Sequence, residues 1–385
     1  VINLGDFWAK LLTRRRLLAL LGIGAGIFGL QRLWRADEPA AEPLAGVGQE
    51  REAMFYLALE GGRAGCKLCF RQCIILPGDR SFCRNRENRG GRLINIVYGL
   101  PSAVHVDPIE KEPLHHFLPG SDILCIGTAG CNFRCKFCHN WHLSQRSLEE
   151  MFIIYQLPPE MAVAEAKKQG VPSISFTYNE PTSLYEYMYD VARLARAENI
   201  RLIFHSNGAM AVDPLQALLK YTDAVTIDLK AFSERFYREI CQAELAPVLL
   251  GLKTIKDAGI WLEIVNLVIP GQNDSPQEVR EMAAWIRGEL GPEVPLHFSR
   301  FFPNYRMTDV IPTPVSTLEN CREIAVGEGL KFVSVGNVPG HQYNSTFCPA
   351  CKEVVIRRHH FTVLNIEMDA GACRHCGQVI NGVWR

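Results

Sequence analysis

The chain has 385 residues, 48% of them hydrophobic, and its 41 basic and 41 acidic side chains leave no formal net charge. That length suits one large domain with appendages or two domains, and the charge balance argues against a nucleic-acid backbone as partner. The 14 cysteines fall into sets with two-residue gaps, the pattern of metal ligation rather than of a disulfide framework.

Taken in chain order, residues 1–45 come first. Arg14, Arg15 and Arg16 precede an apolar run over 17–30 that carries Gly22, Gly24, Gly26 and Gly29. This run is shorter than the ~20 residues of a spanning helix. It is similar to a twin-arginine export signal; an uncleaved anchor over 10–34 is the equal alternative. Residues 36–50, rich in Ala, Pro, Glu and Gly, read as a linker.

A cysteine-rich region over 46–115 follows. Cys66, Cys69, Cys73 and Cys83 are separated by two, three and nine residues, a set able to hold zinc or an auxiliary iron–sulfur cluster. Arg71, Arg80, Arg84, Arg86 and Arg89 nearby either offset thiolate charge or form a solvated face.

From there short β-branched runs alternate with amphipathic stretches. Strands are expected at 123–127, 173–177, 202–205, 225–229, 262–269 and 296–301, and helices at 159–169, 182–198, 214–221, 246–257 and 276–289. Strand then helix, repeated about six times, predicts an α/β fold with a parallel sheet or barrel over 116–335. Its chemistry belongs at the carboxyl ends of the strands.

The loop after the first of these strands reads Gly130-Cys131-Asn132-Phe133-Arg134-Cys135-Lys136-Phe137-Cys138-His139-Asn140. Three thiolates on one loop can hold a [4Fe–4S] cluster and leave one iron open, since such a cluster takes four ligands. The competing reading is a zinc loop completed by His139 or His142. Over 336–385, Cys348-Pro349-Ala350-Cys351 and Cys373-Arg374-His375-Cys376 form two knuckles twenty-one residues apart. They resemble a zinc ribbon, with a rubredoxin-like iron as the alternative. Cys125, Cys241 and Cys321 have no partner at ligand spacing and are taken as core residues.

Cys131, Cys135 and Cys138, with Phe137 before the third, resemble the signature of the radical S-adenosylmethionine (SAM) superfamily. The resemblance implies a partial (β/α)6 TIM-type barrel, a [4Fe–4S] cluster and SAM, cleaved to a 5′-deoxyadenosyl radical that abstracts hydrogen. Phe176-Thr177-Tyr178-Asn179-Glu180-Pro181 stands where that family carries a GGE-like motif, so Asn179 and Glu180 are implied cofactor contacts. A plain helix start is the other task for Glu180-Pro181. His205-Ser206-Asn207-Gly208 resembles a turn of glycyl-radical-enzyme activases, and Asp228-Leu229-Lys230 their Asp-x-Lys. Ser206, Asn207, Asp228 and Lys230 are therefore implied contacts, with His297 as an implied ribose contact or an ordinary core residue.

The stretch Asp107-Pro108-Ile109-Glu110-Lys111-Glu112-Pro113-Leu114-His115-His116-Phe117-Leu118-Pro119-Gly120 narrows the resemblance. So do Arg300-Phe301-Phe302-Pro303 and Val335-Gly336-Asn337-Val338-Pro339-Gly340. Together they resemble the AmmeMemoRadiSam system radical enzyme, a relative of pyruvate formate-lyase activase. Implied partners are a flavodoxin- or ferredoxin-like electron donor and Memo-like and AMMECR-like proteins. The expected function is hydrogen abstraction from a substrate the sequence does not name. The alternatives are an activase acting on a partner protein, and a non-catalytic electron-transfer or scaffold protein. SAM and low-potential electrons are cytoplasmic supplies, so the barrel is expected on the cytoplasmic face of a membrane, against the charge bias around 17–30.

Overall fold

Eight strands make one sheet at the centre of the computed structural model, which describes residues 50–385 and the backbone of residues 2–3. They are β1 (Ala103–Pro108), β2 (Asp122–Gly127), β3 (Ser173–Phe176), β4 (Arg201–Ser206), β5 (Ala224–Asp228), β6 (Trp261–Val268), β7 (Leu296–Arg300) and β8 (Val333–Gly336). Sheet order is β8-β7-β6-β5-β4-β3-β2-β1. Strands β2 to β8 run parallel, and β1 is antiparallel to β2, Ala103 facing Gly127. The near-continuous apolar runs of β2 to β5 are buried on both faces, as parallel strands require.

Helices α1 (Pro159–Gln169), α2 (Tyr185–Ala197), α3 (Val212–Leu219), α4 (Leu245–Asp257), α5 (Pro276–Trp285) and α6 (Val315–Gly327) connect the strands. Their ends follow local chemistry. Pro159 opens α1 and Gly170 closes it at φ 68°. The Ser275 hydroxyl caps α5 by accepting from the Glu278 N–H. The six expected strands and five expected helices are present, and α6, which follows β7, was not among the expected helices. The seventh parallel strand β8 and the antiparallel edge β1 were not among the expected strands. Among the described residues no ladder joins β1 to β8, so the sheet is open.

The segment between β1 and β2 explains the polar stretch 107–120. It runs inside the curved sheet and plugs its base. Ser175 of β3 donates to Glu112 Oε2 at 2.8 Å and Cys125 of β2 to Oε1 at 3.3 Å. Thr226 of β5 donates to the Glu112 carbonyl. Glu263 of β6 accepts from the backbone N–H of His115 and His116. An interior filled with charge and imidazole is tolerable because most of these groups find a partner, Glu110 Oε2 being an exception.

The carboxyl-terminal ribbon docks on that plug. Its strands are β9 (Thr346–Phe347), β10 (Val354–His359) and β11 (Thr362–Ile366). Buried Arg358 lies 3.6 Å from Glu110 and donates to the His115 carbonyl. The Val383 N–H donates to His116 O, and the Leu118 N–H to Val383 O. At the opposite end, residues 50–100 form two small three-stranded sheets. Their anchor is Arg86, 1% exposed, which makes a two-pronged pair with Glu186 of α2 at 2.8 and 3.0 Å. The segment expected to be signal or anchor lies outside the described residues. Among those described, no helix is long and apolar enough to cross a membrane.

Candidate active site

The cysteine loop leaves β2 at the carboxyl-terminal rim of the sheet. Gly130, at φ 84°, turns the chain there, and an added Cβ would stand 2.3 Å from the Cys83 carbonyl. Both ends of the Asn179 side chain hold this turn: Nδ2 donates to Gly130 O at 2.8 Å, and Oδ1 accepts from Thr128 N at 3.0 Å. Asn179 thus positions the loop. Cys131 and Cys135 are buried and Cys138 half-buried. Phe137 packs beside Phe236 with the Lys230 ammonium 5.8 Å from its ring. Neither His139 nor His142 joins these thiols in a compact ligand set; among the described residues only the ribbon cysteines bring three or more ligand atoms within 4.8 Å of one another.

The loop fits an iron–sulfur cluster by the chemistry of its donors. Burial and nearby Glu180 push the Cys131 thiol well above its ordinary range. A hydrogen bond with the Cys241 thiol, then burial, does the same to Cys135. Thiolates in such a place need compensating metal charge. Cys241, read from the sequence as a core residue, thus sits against a candidate ligand. The signal for it is tertiary: Arg134 N donates to Cys241 O, and Lys136 N to Ile240 O.

Glu180 stands beside this loop, 3% exposed. Its Oε1 accepts from Thr182 N, Thr182 Oγ1 and Ser206 Oγ at 3.0, 2.6 and 2.8 Å. Its Oε2 accepts only from Asn207 N, at 2.8 Å, so one lone pair there is free. Glu180 does cap the short helix Pro181–Leu184, and the two tasks coexist. Asn207 Nδ2 donates to Asn132 Oδ1 at 2.7 Å, tying the β4 turn to the cysteine loop. Tyr178, where the resemblance has a glycine, keeps a glycine-like φ of 71°.

Asp228 and Lys230, ending β5, complete the rim. Lys230 Nζ lies 2.8 Å from Asp228 Oδ2, and His205 Nε2 lies 3.0 Å from Oδ1. Burial opposes both charges, but their attraction prevails: Asp228 is held below the carboxylate range and Lys230 well above the ordinary ammonium value. His205 was not singled out by the sequence, although it shares a strand face with the rim residues; burial lowers its pKa, and Asp228 more than restores it, leaving it raised.

His297 is placed elsewhere. It is the second residue of β7, at the base, with Nδ1 2.6 Å from Ser334 Oγ and Nε2 2.7 Å from Glu263 Oε2. Both ring nitrogens are used, so the ribose contact implied for it is replaced by a role in the plug. Glu263 is pushed by burial toward neutrality, yet His297 and His116 hold it down at about 2.

The other cysteines separate into two kinds. In the ribbon, Cys348 and Cys376 sulfurs are 3.6 Å apart, and those of Cys351 and Cys373 3.7 Å. That matches the ~3.8 Å between thiolates on one tetrahedral ion with ~2.3 Å bonds. Cys66, Cys69, Cys73 and Cys83 line one small cavity on the rim, with Arg71, Arg86 and Asn132. Arg80 and Arg89 instead pair with Glu87, and Arg84 with Glu150. The arginine run is therefore part charge offset and part solvated face.

Comparison with known proteins agrees with this geometry. Residues 125–286 match the model of the radical SAM superfamily. The chain is 44% identical over 334 residues to an uncharacterised protein of Methanocaldococcus jannaschii, spanning 86% of this chain and 99% of that one. It is 20% identical over 209 residues to a pyruvate formate-lyase-activating enzyme of Listeria monocytogenes, covering 51% and 77%. A radical SAM methyltransferase structure from Sphaerobacter thermophilus aligns over 57% of this chain and 67% of that one, at 18% identity and a TM-score of 0.45. The chain belongs to the radical SAM superfamily. It is a radical SAM enzyme, and the family implies a [4Fe–4S] cluster and SAM as its cofactors.

Proposed function

We propose that this is an AmmeMemoRadiSam system radical enzyme in which Cys131, Cys135 and Cys138 hold the cluster. The single observation that carries the site is the three-thiol loop lying beside Glu180 and the Asp228–Lys230 pair on one rim. When bound, a [4Fe–4S] cluster with one open iron supplies the electron that cleaves the SAM sulfonium. The free Oε2 lone pair of Glu180 accepts from the methionine ammonium. Ser206 and Asn207 hold that carboxylate in place, and Asn132 holds Asn207. Lys230, kept charged by Asp228, faces the cofactor with a cation, and Phe137 covers the loop from water. Zinc in the ribbon, a cytoplasmic membrane-associated location and Memo-like and AMMECR-like partners belong to the same reading. An electron donor of flavodoxin or ferredoxin type completes it.

The test is anaerobic reconstitution with iron and sulfide, then dithionite and SAM. The native chain should form 5′-deoxyadenosine, and Cys131→Ala, Cys135→Ala and Cys138→Ala should each form none. Product from any of the three variants would remove the assignment. A second reading, an activase making a glycyl radical on a partner protein, is favoured by the pyruvate formate-lyase-activating relatives. It predicts deuterium transfer into 5′-deoxyadenosine from a labelled protein glycine rather than from a small molecule.

A further inference from the structure

The cavity lined by Cys66, Cys69, Cys73 and Cys83 is built for more than a single ion. Its four thiols come from the turns around Ala64–Cys66 and Ile74–Ile75 and from the loop before Arg86–Arg89. They converge from three separate pieces of backbone. Yet no three of them come within 4.8 Å of one another, as all four ribbon thiols do. A lone zinc draws its thiolates to ~3.8 Å. A cuboidal cluster, with one thiolate on each of four irons, holds them further apart. Cys131, Cys135 and Cys138 of the radical SAM loop likewise do not come within 4.8 Å of one another.

A second, independent observation concerns hydrogen-bond donors. Asn132 Nδ2 and Arg86 Nε are both buried and have no partner. Their residues are 2% and 1% exposed, and both line this cavity. A buried N–H left unpaired is costly, so such a pair on one wall calls for an acceptor in the space between. Arg71, also on the wall, is fixed by its Nε donating to Asn132 O at 2.6 Å. The lining is thus four thiols, two guanidinium groups and two unused N–H donors. Sulfide-bridged iron with thiolate ligands is a bulky anion that accepts N–H···S bonds, and such bonds tune its potential.

We propose that Cys66, Cys69, Cys73 and Cys83 ligate a second, fully coordinated [4Fe–4S] cluster, with Asn132 Nδ2 and Arg86 Nε donating to its sulfur. All four irons are then ligated by protein, so this cluster has no open iron and does not bind SAM. It sits next to the first site, because Asn132 follows Cys131 directly and the Cys83 carbonyl packs on Gly130. The proposal takes the radical SAM loop as read above, and the experiment keeps the two apart.

The full-length Cys131→Ala/Cys135→Ala/Cys138→Ala variant is reconstituted anaerobically. It should carry about four acid-labile sulfides per chain, and after reduction an electron paramagnetic resonance signal that added SAM does not change. No sulfide in this variant, with zinc at both flanking cysteine sets, overturns the proposal. Because that variant could fold poorly, Cys66→Ser/Cys69→Ser is made in the otherwise native chain. Sulfide should then fall by about half while the SAM-responsive signal stays; an unchanged sulfide content overturns the proposal. Absence of a SAM-responsive signal from the native chain would instead count against the radical SAM loop alone. Asn132→Leu should lower the midpoint potential of the SAM-insensitive signal, because a donor to sulfur is lost, and an unmoved potential removes Asn132 from its surroundings.

Discussion

The two four-cysteine sets sit at opposite ends of one sheet, and they differ in spacing and in surroundings. The ribbon set is drawn tight, lies at the base and is stitched to the plug by Arg358, Val383 and Asn381. The amino-terminal set is wide, lies on the rim and shares a wall with Thr182 and Ser183, which stand beside Glu180. Each end has buried groups without a partner: Arg358 Nε and Glu110 Oε2 where the ribbon meets the plug, Asn132 Nδ2 and Arg86 Nε near the amino-terminal set. The second pair lines the cavity that the thiols share. Both sets have four cysteines, but the gaps differ, two, three and nine residues against two knuckles twenty-one residues apart, and so do the surroundings.

Removing the ribbon metal should break the base and spare the rim, and it is the largest effect expected. Structural zinc contributes about 10–16 kcal/mol to folding in small peptides. With Cys373→Ser/Cys376→Ser, hydrogen exchange should rise together in 346–385 and in 109–118, while 66–83 stays protected. Equal exchange at both ends would erase the contrast. Glu263→Leu comes next. It leaves His115 N, His116 N and Trp261 Nε1 without their acceptor, and His297 Nε2 without its partner. At 1–3 kcal/mol per buried orphan, a loss of about 4 kcal/mol or more is expected in urea unfolding of the whole chain.

Acidity should act on the two ends in opposite directions. Burial, aided by Arg358 and His297, outweighs the opposing pull of Glu263 and the Asn381 carbonyl and lowers the His116 pKa to about 4, against ~6.5 unfolded. Between those values the unfolded chain binds more protons, so stability is complete above pH ~6.5 and falls by roughly 3 kcal/mol as pH drops to ~4. His115, also lowered by burial and Arg358, adds in the same direction. His205 on the rim is raised by Asp228, so its contribution is present below pH ~6.5 and is lost as pH climbs through the folded value. Exchange at pH 5 against pH 7.5 should therefore loosen 109–118 and not the turn after β4. The smallest effect is local: Glu180→Gln should weaken SAM binding by about 1.5–3 kcal/mol in calorimetry while iron content stays native. Unchanged affinity would leave Glu180 as a helix cap.

Much of this was legible from residues alone where the interactions are local. The six central strands and five of the helices follow from apolar periodicity and from Pro159, Gly170 and Ser275 at helix ends, whereas α6 was not anticipated. The short Val-Ser-Val-Gly strand β8 and the edge strand β1, which ends on Pro108, carry too little pattern to stand out. The plug was the larger surprise. Its Glu112, His115 and His116 look like a solvated polar stretch until Ser175, Thr226 and Glu263 arrive from strands 63 to 148 residues away. The same reasoning explains His297: a histidine on a strand is easy to see, but its height along the strand is set by tertiary register. Cys131, Glu180, Asp228 and Lys230 were singled out by the resemblance, and each lies at or soon after a strand end, where the sheet itself gathers them.

The plug also has a consequence in time. Its His116 ring bonds to the carbonyl of Asn381, 265 residues further along the chain. Synthesis at roughly 5–20 residues per second takes on the order of 15–50 s to cover that distance. Throughout that interval the base of the sheet is finished on one side only. His115, His116 and Glu110 wait in water, with Arg358 and Val383 not yet made. The rim has a shorter delay, because its groups from Cys83 to Lys230 and Cys241 lie within about 160 residues of one another in the chain. The end that does the chemistry is thus assembled early on the ribosome, and the end that bears the load is closed last.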